Sequence, residues 1–162
     1  MDIIEGALGR FDGGRVLDVA TLQGGFAQVM RENLKSYAEI VGIDISEKAI
    51  EAATAANEAD DVSFAVMDAT DMDFDDESFD TVAMSASMHH MPDLEGALPE
   101  MHRVLRPGGR LIILEMQRDD PTEPELTSVL LHHWAAEIDE ARGMDMGLAS
   151  AIRLYVLRHY RP

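Results

Sequence analysis

Apolar residues recur along this chain in short runs divided by turn signals, and their period changes from one run to the next. Arg15–Val19 is an apolar run carrying one acid, Asp18, behind the turn signal Asp12-Gly13-Gly14. That pattern reads as a buried strand. Gly24-Gly25 mark a tight bend, and Phe26–Met30 then opens a helical period within a helix over Gly24–Lys35. Glu39–Ile45 (E-I-V-G-I-D-I) reads as a second buried strand, and Ser46 caps a helix with Ala49, Ile50 and Ala53 on its inner side. Val62–Met67 and Phe79–Ser85 predict a third and a fourth strand. Leu94–Leu105 predicts a helix, and Pro107-Gly108-Gly109 turns it into a fifth strand, Arg110–Glu115. Strand and helix thus alternate, which implies an α/β fold: a doubly wound sheet of about five parallel strands with helices on both faces.

The two ends are less regular. Asp2–Phe11 places Ile3, Ile4, Ala7, Leu8 and Phe11 on one side of a short amphipathic helix, for packing or as a lid. Thr122–Ala141 has an inner face of Leu126, Val129, Leu130, His133, Trp134 and Ile138. After Arg142-Gly143 the composition shifts, and Leu148–Tyr160 again carries apolar residues at helical spacing. The expectation is one domain over residues 1–141 with an atypical helical extension over 142–162. No strand pattern follows Glu115. The fifth strand would then be an exposed edge, covered by the terminal helix or by pairing two chains into a homodimer.

Composition narrows the partners. With 162 residues and 46% hydrophobic content the chain is long enough for a single core. Its 31 acids against 13 lysines and arginines give a formal charge of −18. So acidic a balance argues against an extended cationic surface for nucleic acid and disfavours an anionic membrane. No apolar run reaches the roughly 18 residues of a membrane span, the start lacks a basic secretory signal, and cytoplasm is the default. There is no cysteine, hence no disulfide and no thiolate metal site.

In sheets of this kind ligands lie beyond the carboxyl ends of the strands. Asp18 should therefore face the mouth of that crevice. The bend Ala20-Thr21-Leu22-Gln23-Gly24-Gly25 does not supply the G-x-G-x-x-G that a dinucleotide's pyrophosphate requires, which disfavours a nicotinamide-dependent dehydrogenase. An acid before the loop suits a ligand with a cationic end. Asp44 ends the second strand, where a carboxylate can accept both hydroxyls of a ribose, and Ile45 beside it can lie against a base. Asp68-Ala69 follow the third strand. Asp71–Glu77 alternates acids as a calcium loop does, but Asp76 and Val82 stand where such a loop needs Gly and Glu. The loop after the fourth strand, Ser85–Asp93, brings His89 and His90 to the crevice, where one of them can orient or deprotonate an acceptor; the alternative is packing. His132 and His133 add nothing with ligand spacing, so no metal is expected. Glu115, ending the fifth strand, is a further pocket candidate.

The stretch V-L-D-V-A-T-x-x-G-G-F resembles the first motif of class I S-adenosylmethionine (SAM) methyltransferases, commonly D-x-G-x-G-x-G. Gly24 matches, whereas Ala20 and Leu22 replace the other two glycines. A leucine forced to positive φ costs about 1–2 kcal/mol, and its side chain is expected to intrude on cofactor space. R-V-L-R-P-G-G-R-L-I-I-L-E resembles the R-V-L-x-P-G-G segment of small-molecule methyltransferases related to the quinone-biosynthesis C-methyltransferases. The likeness covers about residues 12–118 and extends towards Ala141. It implies a Rossmann-like fold without the family's last two strands, and SAM-dependent methyl transfer to a small molecule. By the same resemblance Asp18 and the Ala20–Gly25 loop hold the methionine end, Asp44 the ribose, and Asp68 and Ala69 the adenine. Ser85 completes the cofactor set, and His89 or His90 faces the acceptor. The alternative is a catalytically silent domain of this fold serving as a binding or assembly module.

Overall fold

The computed structural model describes residues 6–116, 138–140 and 152–158. Its strands are β1 (Arg15–Val19), β2 (Glu39–Asp44), β3 (Val62–Val66), β4 (Phe79–Ser85), β5 (Leu105–Met116), β6 (Ile138–Glu140) and β7 (Ile152–Arg158). Between them run helices α1 (Gly25–Asn33), α2 (Glu47–Ala56) and α3 (Leu94–Val104) and a 3-10 turn over Met88–His90. They form one sheet in the order β3-β2-β1-β4-β5-β7-β6. The first five strands are parallel, as the alternating pattern predicts.

The sheet's two faces follow from the period of two along each strand. Leu17 and Val19 of β1, Ile43 of β2, Val82 and Met84 of β4, and Leu111 and Ile113 of β5 turn to one side, under Leu98, Met101 and Val104 of α3. Val16, Ile40, Ala83 and Ile112 turn to the other, under Phe26, Ala27 and Met30 of α1. Leu8 is fully buried in this second layer with Ala7 and Phe11 against it. For the described part of the first segment, packing is the role.

Local signals set the helix starts. Gly24 caps α1 in the left-handed conformation, φ 78°. A Cβ there would lie 2.8 Å from the Phe64 ring and 2.9 Å from the Asn57 amide, so both the backbone angle and the space require glycine. The Ser46 hydroxyl accepts the Ala49 N–H, and the Asp93 carboxylate accepts the Gly96 N–H.

The structure corrects the reading of the carboxyl end. The last two strands are present. β7 runs antiparallel beside β5, in register from Arg110 opposite Arg158 to Met116 opposite Ile152, and β6 pairs with β7. Residues 152–158 therefore form a strand and not part of a helix. The run I-R-L-Y-V-L-R meets the helical spacing through Ile152, Tyr155 and Val156. It also holds Leu154 and Leu157 and is rich in β-branched and aromatic residues, so its period was ambiguous. The open edge of β5 decides between the readings, because its N–H and C=O groups need partners. The same pairing removes the exposed β5 edge on which a homodimer was expected. Ile138–Glu140, placed at the end of a helix by its pattern, is also strand. The rest of that expected helix, residues 122–137 and 141, lies outside the described residues.

A smaller difference concerns Pro107-Gly108-Gly109. The segment belongs to β5 as a bulge: Leu105 pairs with Phe79 and Arg110 with Thr81. Pro107 has no N–H to give the ladder, and Gly108 takes φ 77°.

Candidate functional site

Because β1, β2 and β3 are parallel, the acids that end or follow them come to one rim. Asp18 and Asp44 are both buried. The Thr21 hydroxyl donates to Asp18 Oδ2 at 2.6 Å, and the Thr21 N–H donates to the Ile43 carbonyl at 2.9 Å. Thr21 thus ties the acid of β1 to the backbone of β2. Asp44 accepts the Leu22 N–H on Oδ2 at 3.0 Å and the Ser46 N–H on Oδ1 at 2.9 Å. Asp68 accepts the N–H and the hydroxyl of Thr70, both at 2.8 Å. These bonds hold its carboxyl below the usual range.

Asp18 differs. Its Oδ1 is buried, and no well-formed hydrogen bond reaches it among the described residues. Burial pushes its carboxyl up from 3.8 to about 7, against the pull of the Thr21 hydroxyl and the Ala27 amide; the charge of Asp44 adds to the rise. A buried acceptor left without a well-formed hydrogen bond is costly, and a cationic group brought to it would complete the site.

Two cavities open at this rim. The larger, about 420 Å3, is walled by Asp44, Ile45, Asp68, Ala69 and Thr70 from the β2 and β3 ends, and by Ser87, His90 and Met91 from the loop after β4. The smaller, about 390 Å3, holds Asp18, Thr21, Gln23, Phe26 and Ser85. Ala20, Leu22 and Ala86 belong to the walls of both. Volumes in this range suit a small molecule or cofactor. Leu22 takes φ 52°, as its place in the loop predicts. The residue is 56% exposed.

Of the residues singled out from sequence, Ala20, Asp44, Ile45, Asp68, Ala69 and His90 meet around the larger cavity, and Asp18, Ala20 and Ser85 around the smaller. Gly24 lines neither. Its place is the start of α1, against Phe64 and Asn57. The His89 and Glu115 side chains lie outside the described residues. Sequence reasoning placed Thr21 within the Ala20–Gly25 loop, and Ala86, Ser87 and Met91-Pro92-Asp93 within the Ser85–Asp93 loop, but singled out none of them. Thr21 had a signal, a hydroxyl three residues after a buried acid at a strand end. Ala86 had none. The acidic loop after Asp68 has a structural anchor: the Arg103 guanidinium bonds the Met72 and Phe74 carbonyls, Asp76 and Glu100. Among the described residues no three His, Cys, Asp or Glu groups converge as a metal site, and no helix is long and apolar enough to cross a membrane.

Comparison with known proteins gives this rim a context. Residues 17–113 match the model of a family described as a methyltransferase domain. The chain belongs to that family. Membership implies S-adenosylmethionine as cofactor, and this methyltransferase domain is 37% identical over 106 residues to a ubiquinone/menaquinone biosynthesis C-methyltransferase of Geotalea daltonii, covering 63% of this chain and 45% of that protein. It is 34% identical over 113 residues to a demethylmenaquinone methyltransferase of Staphylococcus epidermidis, covering 69% of this chain and 46% of that one. The chain spans about half the length of the curated relatives it matches. Among solved structures it resembles a putative methyltransferase in complex with the Haloferax volcanii Trm112 methyltransferase activator (TM-score 0.78, 19% identity, covering 99% of this chain and 88% of that one). It also resembles a putative methyltransferase from Bacillus halodurans (TM-score 0.71, 23% identity, covering 84% and 68%). These structural likenesses establish the fold.

Proposed function

We propose that this domain transfers a methyl group from SAM to a small-molecule acceptor. The observation that carries the reading is the buried Oδ1 of Asp18, which no well-formed hydrogen bond reaches among the described residues, in a cavity that shares its walls with a second one holding Asp44 and Asp68. One end asks for a cation and the other offers carboxylates to a diol and a base, so the residues present fit the cofactor. When bound, it supplies an electrophilic methyl group on a sulfonium.

The chain's own residues have the following parts. Asp44, fixed by the Leu22 and Ser46 amides, keeps acceptor capacity for the ribose hydroxyls. Asp18, held by Thr21, receives the amino-acid end, and Ser85 closes that cavity. Asp68 and Ala69, with Ile45 exposed at the rim, take the adenine. His90 stands with Met91 and Pro92 in the wall after β4 and orients the acceptor or removes its proton. Methyl transfer is an in-line displacement, so holding donor and acceptor in line is the larger part of catalysis. The Met67, Met91 and Pro92 surfaces favour an acceptor with an apolar body. A silent domain finds no particular support: the cavities are open and the acids converge at their rim.

Titration calorimetry with SAM and with S-adenosylhomocysteine tests this. Wild type should bind both, and Asp44→Ala should weaken binding by about 10- to 100-fold, the loss of charged hydrogen bonds. Absence of heat with either ligand would defeat the proposal.

A further inference from the structure

Among the described residues four non-glycines have left-handed backbone: Ala20 (φ 55°), Leu22 (52°), Glu77 (57°) and Ala86 (49°). Glycine adopts such angles freely, whereas other residues do so under strain. Three of the four, Ala20, Leu22 and Ala86, are also the three residues that line both cavities. The strained positions and the seam between the cavities coincide.

Each is pinned where it stands. The Ala20 carbonyl accepts the Ser87 hydroxyl at 3.3 Å. The Leu22 N–H donates to Asp44, and the Ala86 N–H donates to the Leu114 carbonyl at 2.7 Å. None of these bonds involves the three side chains. The core does not require the Leu22 side chain either, since that residue is 56% exposed. A residue with strained backbone and an exposed apolar side chain, placed in the walls of two ligand-sized cavities, is best explained by contact with the ligand.

We propose that Ala20, Leu22 and Ala86 form an apolar collar around the segment of the ligand that crosses from one cavity to the other. The collar selects ligands that occupy both cavities at once. It carries no side-chain donor or acceptor, so it grips carbon and sulfur by dispersion, between the carboxylates of Asp44 and Asp68 at one end and Asp18 at the other. The inference rests on the methyltransferase reading above, because that reading supplies a ligand with a diol at one end, an ammonium at the other and a thioether or sulfonium between. It reverses the expectation that Leu22 intrudes on cofactor space: the side chain is part of the grip.

Leu22→Gly tests the collar. Glycine keeps the N–H for Asp44 and accepts φ 52°, so the melting temperature should not fall. The variant should bind S-adenosylhomocysteine about tenfold more weakly, the loss of a partly buried isobutyl group, while adenosine, confined to one cavity, changes by less than twofold. Leu22→Ala should fall between wild type and glycine for S-adenosylhomocysteine. Binding of that ligand as tight as in wild type, or tighter, overturns the collar, as does an equal loss for adenosine. Should Leu22→Gly melt early, Leu22→Ala decides by the same ratio. A wild type that binds S-adenosylhomocysteine and is sensitive to Asp44→Ala upholds the underlying reading whichever way Leu22 behaves. A wild type that binds neither SAM nor S-adenosylhomocysteine removes both.

Discussion

Replacing Asp18 by Asn should change the way folding stability depends on pH. In the unfolded chain this carboxyl titrates at its ordinary value, 3.8, and in the fold burial raises it to about 7. Between those values the folded state keeps a proton that the unfolded state has lost, so raising the pH works against the fold. The contribution is fully present below 3.8 and is lost as pH rises through about 7. That interval corresponds to about 4 kcal/mol, at about 1.4 kcal/mol for each pH unit. Asparagine does not titrate, and its carbonyl oxygen can still accept the Thr21 hydroxyl. Urea denaturation of both proteins at fixed ionic strength, from pH 4.5 to 8.5, isolates the effect, because the other titrating groups are common to both and cancel. The stability of the variant minus that of wild type should climb with pH up to about 7 and then level off. Any unpaired donor introduced by the new amide shifts the whole curve and leaves its slope unchanged. A difference that is flat from pH 5 to 8, or that falls, would refute the account of Asp18 as a desolvated, half-satisfied acid.

Gly24→Ala should destabilise the fold by about 2 kcal/mol or more, read from the denaturation midpoint, because it combines a left-handed angle with a Cβ 2.8 Å from Phe64; a change below 0.5 kcal/mol would mean that the helix start adjusts freely. His90→Gln should lower turnover by about 100-fold or more if the imidazole moves a proton, with S-adenosylhomocysteine affinity changed by less than threefold. Equal loss of both would make His90 part of the cofactor wall and not of the acceptor side.

The five parallel strands and the acids at their ends were legible in the sequence because burial on both faces writes continuous apolar runs, and a charge that ends such a run is conspicuous. Asp44 was the clearest case. What escaped lies where one pattern serves two structures. Ile152–Arg158 satisfies the helical period and the strand period together, and only the unpaired edge of β5 selects strand. Pro107-Gly108-Gly109 marks a bend in either reading, and whether it bulges within β5 or precedes it depends on the register with β4. Ala86 illustrates the limit most plainly. An alanine says nothing about a left-handed angle, and its place in both cavities follows from the way β4 ends against Leu114. Thr21 could have been found by asking what would satisfy a buried acid.

The position of β7 between β5 and β6 has a consequence for biosynthesis. When the ribosome has released the chain as far as Met116, five strands can assemble, but the outermost lacks its neighbour. That neighbour, Ile152–Arg158, is made a few dozen residues later, roughly 2–7 s at ordinary elongation rates. During this wait the nascent sheet offers an adhesive border to other chains. Slowing translation ahead of residue 152 should therefore lower the soluble yield, and supplying the missing strand as a separate peptide should restore it.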